Sequence, residues 1–179
     1  IWGLQSLGLF QSQEEIDNAP EQRLGSTVKP GDIKYVDQNG DGVVDNKDAV
    51  YLGKGGWYGA PFTMGINLTA KWKAFTFFAL GTGRFGAYGM KNSSYYWVAG
   101  DSKYSAIVRN RWTEETKATA TYPRLTTESG SNNFLSSDFW MYKSDYFDLA
   151  KVQVTYDLPK GILRNTFLQE VSVYVSGAN

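Results

Sequence analysis

The residues whose spacing speaks most directly of chemistry are Asp37-Gln38-Asn39-Gly40-Asp41-Gly42-Val43-Val44-Asp45-Asn46-Lys47-Asp48. Oxygen-bearing side chains stand at loop positions 1, 3, 5, 9 and 12 and a glycine at position 6, the spacing of an EF-hand calcium loop. A hard cation gathers six to eight oxygens at roughly 2.3–2.6 Å, and alternate residues of a tight loop can converge on one point. The expected ligands of a structural Ca2+ are the side chains of Asp37, Asn39, Asp41, Asp45 and Asp48 and the backbone carbonyl of Val43. Asp48 stands where a bidentate Glu is usual, so its shorter side chain coordinates less completely. The competing explanation is an Asp/Asn/Gly-rich turn whose side chains cap backbone groups. Gly31 to Val36 before the loop looks extended and Gly53-Lys54-Gly55-Gly56 soon follows it, which points to a static clip and not to a helix-loop-helix sensor.

Other chemistry is largely excluded by composition. The chain has no cysteine and no histidine, which removes disulfides, thiolate nucleophiles, imidazole bases and most zinc sites. Its 18 basic and 18 acidic residues cancel, so no single-sign field draws in nucleic acid. Gly81-Thr82-Gly83-Arg84-Phe85-Gly86 has the glycine pattern of a dinucleotide loop, but Gly86-Ala87-Tyr88-Gly89 cannot open a sound helix, and strand-end glycines explain it better. Asp138, Asp145 and Asp148 are the nearest thing to a glycosidase pair and read more readily as solvated loop carboxylates. The expectation is that the chain is not an enzyme.

The elements that must carry these residues are strands. From Phe62 to Trp72 apolar side chains occupy every even position, a period of two that gives a strand one apolar and one wet face. Phe75 to Leu80 follows after the short Lys71-Trp72-Lys73-Ala74 link, which makes a hairpin. Alternation returns at Val152, Val154, Tyr156 and Leu158 until Pro159 and Gly161 stop it, and again at Val171, Val173 and Val175. Between the hairpins, Gly83 to Asp138 is rich in Gly, Ser, Thr, Asn, Tyr and Trp with no sustained period, long for a loop inside a compact domain. No apolar stretch approaches the ~20 residues of a membrane-crossing helix, but barrel strands hide their apolar residues by alternation. The chain opens with Ile1-Trp2-Gly3 and not with a basic, then apolar, signal segment.

Short turns on one side and long loops on the other is the arrangement of outer-membrane barrels, whose brief turns face the periplasm. On that basis Lys71–Ala74 and Pro159–Gln169 are expected to be periplasmic, and the Asp-rich segment and residues 83–138 extracellular. Alternation by itself favours a soluble β-sandwich or jelly roll, since it also marks a half-buried sheet facing a protein core. The 16% aromatic content, rich in Tyr and Trp, favours a boundary between water and an apolar phase.

Several segments together resemble the SusC/RagA family of TonB-dependent importers. Gly8-Leu9-Phe10-Gln11-Ser12-Gln13-Glu14-Glu15-Ile16 is followed by Pro30-Gly31-Asp32-Ile33-Lys34-Tyr35, which runs directly into Asp37-Gln38-Asn39-Gly40-Asp41-Gly42. Arg111-Trp112-Thr113, Tyr122-Pro123-Arg124-Leu125, Ser137-Asp138-Phe139-Trp140 and Tyr146 to Pro159 look like the family's late barrel strands in the same order. Phe147-Asp148-Leu149-Ala150-Lys151 and Lys54-Gly55-Gly56-Trp57 depart locally from the family's usual wording.

The resemblance implies an all-β fold, a segment (1–179) of a large antiparallel transmembrane barrel of ~22 strands with long extracellular loops, whose plug domain and last strands lie outside this chain. It implies a place in the bacterial outer membrane, contact with its lipid, and import of oligosaccharides or peptides together with a SusD-like surface lipoprotein, driven by TonB acting on the plug. Trp97, Tyr95, Tyr96 and Trp112 are then candidate substrate or partner contacts, with an interfacial girdle and loop packing as the plainer explanation. The rivals are a secreted calcium-stabilised β-domain that binds polysaccharide or mediates extracellular assembly, and a glycoside hydrolase fragment with two converging acids.

Overall fold

A computed structural model describes residues 1–56, 62–100, 105–127, 132–164 and 166–179. They form two compact units, one of residues 1–55 and 88–143, the other of residues 56–87 and 144–179.

The first unit is built from short pieces. Strands β1 (Trp2–Gly3), β2 (Ser6–Leu9), β3 (Glu21–Gln22), β4 (Ile33–Tyr35), β5 (Val43–Val44) and β6 (Val50–Tyr51) occupy its N-terminal part, with a one-turn helix at Gln13–Asp17. That helix starts where Ser12 accepts from the Glu15 N–H (3.2 Å) and Glu15 reaches back to the Gln11 N–H (2.8 Å), each side chain satisfying a backbone donor at the helix start. β2 pairs antiparallel with β4, β1 with β6, and β3 runs parallel to β5. Strands this short cannot hold together by their ladders, and the unit is held by a shared core of Leu4, Ile33, Val44, Val98, Tyr122 and Trp140. Tyr122 and Trp140 meet edge-on at 5.6 Å, and burying such rings removes roughly 150–250 Å² apiece from water.

Several polar groups inside this core are paired, while Trp97 Nε1 and Asn132 Nδ2 have no hydrogen-bond partner among the described residues. Asp32 is fully buried and sits 2.7 Å from the Arg124 guanidinium, while accepting from the Lys29 N–H and the Asn133 amide. Gln22 accepts from the Tyr35 N–H and donates to the Ile33 carbonyl, and Tyr35 Oη donates to the Asn132 carbonyl. Gly31, at φ +89°, lies flat against the Trp112 ring, and a Cβ there would come within 2.6 Å of it. Strand β9 (Tyr88–Met90) pairs with β10 (Met141–Lys143) to complete the unit.

The second unit is a four-stranded antiparallel sheet in the order β12-β11-β8-β7, where β7 is Phe62–Trp72, β8 Phe75–Phe85, β11 Tyr146–Asp157 and β12 Ser172–Ala178. β7 keeps Lys71 and Trp72, which the sequence also offered to the hairpin link, and β8 runs further than its apolar run suggests. β7 continues to Trp72, so the hairpin turns on Lys73 and Ala74 alone, and β8 takes in Gly83 to Phe85. Backbone pairing to a neighbour extends a strand past the point where its side chains stop alternating. Among the described residues no helix is long and apolar enough to cross a membrane.

Candidate functional site

Register decides what the sheet presents. Pairing sets Leu68 beside Ala79, Ala79 beside Val152, and Val152 beside Gly177, while Ala70, Phe77, Val154 and Val175 form the next row. Side chains alternate along each strand, so these rows and those on either side place Ile66, Leu149, Trp72, Phe75, Tyr156 and Val173 on the same face. The other face carries Asn67, Thr69, Lys71, Thr76, Thr82, Arg84, Asp148, Lys151, Gln153, Thr155 and Asp157, with Phe78, Leu80, Tyr146 and Tyr174 among them. A bulge at Ala150 allows Leu149 and Val152, three residues apart, to share the apolar face.

This apolar face is open. Leu68 is 64% exposed, Trp72 61%, Leu149 54% and Val175 77%. A soluble sandwich would have covered these side chains with a second sheet, and the described residues of this unit form one sheet. Gly81 and Gly83, the residues of the dinucleotide-like pattern, lie within β8, where the Phe147 ring fills the space a Cβ would take (2.5 Å at Gly81, 3.1 Å at Gly83).

The Asp-rich loop closes on itself. Asp37 accepts from the N–H groups of Gly40 (2.7 Å) and Gly42 (2.8 Å), and both glycines have positive φ. Asn39 accepts from Asp41 N–H, Asp41 from Val43 N–H and Asp45 from Lys47 N–H, three successive Asx turns at 2.7–2.9 Å. Val43 lies in β5, and the carbonyls on either side of it accept from Glu21 and Arg23. Asp48 is fully buried: one oxygen accepts from Gln38 (2.8 Å) and Asn39 (3.3 Å), the other from Asp45 (2.8 Å). Burial by itself pushes this carboxyl up, but its three backbone donors outweigh that, with help from Lys47, and hold it below the ordinary Asp value. Among the described residues no three His, Cys, Asp or Glu side chains are grouped so as to hold a metal ion.

The remaining sequence candidates divide. Trp112 is buried against Gly31 and donates to Gln11 (3.2 Å), and Trp97 packs on Phe134 and Trp140, so both serve the core of their unit. Tyr96 packs on that core as well, whereas Tyr95 is 52% exposed. The exposed Trp2 and Tyr51 pair, edge-on at 5.8 Å across β1 and β6, is a surface aromatic site that sequence gave no reason to select, because their strands are too short to show a period. Asp138 accepts from Ser6 N–H, Asp145 from Gly86 N–H and Asp148 from the Asn179 amide, each an individual structural bond.

No protein-family model matches the chain. A TonB-dependent receptor of Formosa agariphila is 29% identical over 182 residues, which take in 99% of this chain and 17% of that receptor. The chain is homologous to TonB-dependent receptors over its whole length. Its fold matches part of the RagAB peptide importer in the open-open state, with a TM-score of 0.68 and 18% identity over 100% of this chain and 18% of that one. The closed-closed state of the same importer gives 0.65 at 19% identity, again over all of this chain and 19% of that one. The chain thus spans under a fifth of the length of the relatives it matches.

Proposed function

We propose that this chain is a stretch of barrel wall and its loops from an outer-membrane importer of the TonB-dependent kind. The observation that carries this is the sheet with one wholly apolar face left bare and an opposite face on which polar side chains predominate around Phe78 and Leu80, the division expected of a wall between lipid and an aqueous lumen. The apolar face meets lipid, the polar face with Asn67, Thr69, Asp148 and Gln153 meets the lumen, and β7 and β12 at the sheet's edges pair with further strands of the longer protein. The cargo is carried through, not transformed. The importer works with a SusD-like lipoprotein and is energised by TonB through a plug domain. Peptides are the favoured cargo, because the importer whose fold it matches is a peptide importer, with oligosaccharides the other class. Tyr95, exposed in the first unit, is the remaining aromatic candidate for cargo or lipoprotein contact.

The test is placement of charge on the two faces in the full-length protein. Lysine at Leu68 or Val154 is expected to cut the amount of folded receptor in the outer membrane severely, and lysine at Asn67 or Gln153 to leave it near normal. Equal damage from both faces would overturn the assignment.

We further propose that the loop at Asp37, Asn39, Asp41, Val43, Asp45 and Asp48 binds a structural Ca2+. Ligand spacing and the positive φ of Gly42 support this. So does the spare lone-pair capacity of carboxylates that each already accept backbone N–H groups. Calcium should raise the loop's resistance to proteolysis in the wild type and not in Asp41→Ala, and an identical digestion rate with calcium and with chelator would retire the proposal.

A further inference from the structure

The apolar face changes character along its length. Its middle carries aliphatic side chains, Leu68, Ala79, Val152 and Val175 among them. At the end where β7 turns into β8, Trp72, Phe75 and Tyr156 stand side by side on three neighbouring strands. The Trp72 and Phe75 rings stack at 6.5 Å and 20°, and Phe75 meets Tyr156 at 4.8 Å. At the opposite end the same face carries phenylalanines, Phe62, Phe85 and Phe147. Rings with a polar edge are thus confined to the turn end, and such rings settle where hydrocarbon gives way to headgroups.

Charge follows the same asymmetry. Lys71, Lys73, Lys160 and Arg164 outnumber Asp157 and Glu170 at the turn end, while Asp145 and Asp148 outnumber Arg84 at the other. Lys71 and Lys160 line a concavity of about 350 Å³ together with Asp157 and Glu170. Asp157 accepts from the Ser172 hydroxyl at 2.7 Å. Lys73 stands outside that concavity, and among the described residues no carboxylate forms an ion pair with it. It occupies the hairpin turn at φ +55°, the one non-glycine residue with positive φ among those described, and its ammonium lies 4.8 Å from the Trp72 ring centroid. Lys73 is exposed, and a cation resting over an indole face in this way suits a boundary between water and an apolar phase.

We propose that Trp72, Phe75, Tyr156 and Lys73 form a headgroup anchor in which Lys73 holds the phosphate of an anionic phospholipid while its acyl chains run over Leu68, Ala79 and Val152. The anchor rests on the assignment of this face to lipid. It puts the short turns at the phospholipid leaflet and gives the barrel wall a fixed depth there.

The experiment uses the full-length receptor in vesicles of phosphatidylethanolamine and phosphatidylglycerol, with two photoreactive phosphatidylglycerol probes, one activated near the headgroup and one at the acyl end. The headgroup probe should label the peptide around residues 71–75. Lys73→Gln should lower that labelling about fivefold, the effect of removing one cation near an anionic surface, and Lys73→Arg should restore it. Acyl-end labelling at Leu68 and Val154 should not change in either variant. Headgroup labelling unaffected by Lys73→Gln, or equally strong from a phosphatidylcholine probe, would overturn the anchor while leaving the lipid-facing assignment in place. Loss of acyl-end labelling at Leu68 and Val154 in the wild type would overturn both.

Discussion

The two units of this chain solve opposite problems with the same residue types. In the first, Trp140, Tyr122 and Tyr35 pack the core, and the two tyrosine hydroxyls donate to backbone carbonyls. In the second, tryptophan, phenylalanine and valine stand outward on an open sheet face, and the polar side chains occupy the other side. The first unit has short ladders and a packed interior. The second has continuous ladders, and among its described residues the buried hydrophobic side chains are Ala87 and Leu163. Hydrophobicity therefore says little by itself here; what distinguishes the units is whether a residue's neighbours belong to its own unit or must be supplied from outside it.

That contrast can be broken by experiment in the full-length receptor. The largest effect is expected from Asp32→Ala, which leaves the Arg124 guanidinium without its 2.7 Å partner in a buried site; a loss of about 3–5 kcal/mol should appear as collapse of the first unit's protease resistance with the barrel band still intact on gels. Next comes Leu68→Lys at the middle of β7, expected to destabilise the barrel by about 2–4 kcal/mol in urea unfolding from bilayers, with Asn67→Lys one residue away near neutral. If Leu68→Lys were as mild as Asn67→Lys, the two faces would not differ in kind.

A smaller effect is expected at Asp48. Replacing it with Asn leaves at least one of its three backbone donors poorly answered, a cost of about 1–3 kcal/mol seen as faster cleavage between residues 37 and 48. The carboxyl is held below its ordinary value in the folded loop, so its contribution is complete above the unfolded value near pH 4 and is lost as pH falls through the lower folded value. Wild-type loop protection should therefore fall only in acid below about pH 4, and the Asn variant should lack that step. The smallest effect is Gly81→Ala, whose Cβ would meet the Phe147 ring 2.5 Å away; a cost near 1 kcal/mol should vanish in the Phe147→Ala background, since an exposed ring can swing aside.

Much of the second unit was legible in the sequence because a period of two is a local property. The even-numbered residues of Phe62–Trp72 and the run Val152, Val154, Tyr156 do share one face. Less legible were the end of β8 at Phe85, which depends on the neighbour across the ladder, and the bulge at Ala150, which breaks the local count. In the first unit almost none of the core could be read. Trp112 and Trp97 were candidates for substrate or partner contact, with a girdle and loop packing as the plainer explanation, and their segment lacks a period to decide between these; contacts with residues far away in sequence, such as Gly31 and Gln11 for Trp112, bury them.

By itself, then, the sequence determined what each stretch could do alone: alternating faces, a turn at Gly40 and Gly42, and the absence of any thiol or imidazole chemistry. It also carried the homology, which is a property of residue order. Only the tertiary structure decided that the apolar faces of four strands join into one uncovered surface, that Asp48 turns inward to three backbone N–H groups, and that Asp32 finds Arg124 from 92 residues away. Those outcomes depend on register and long-range packing, and no local pattern of side chains encodes which distant segment will arrive.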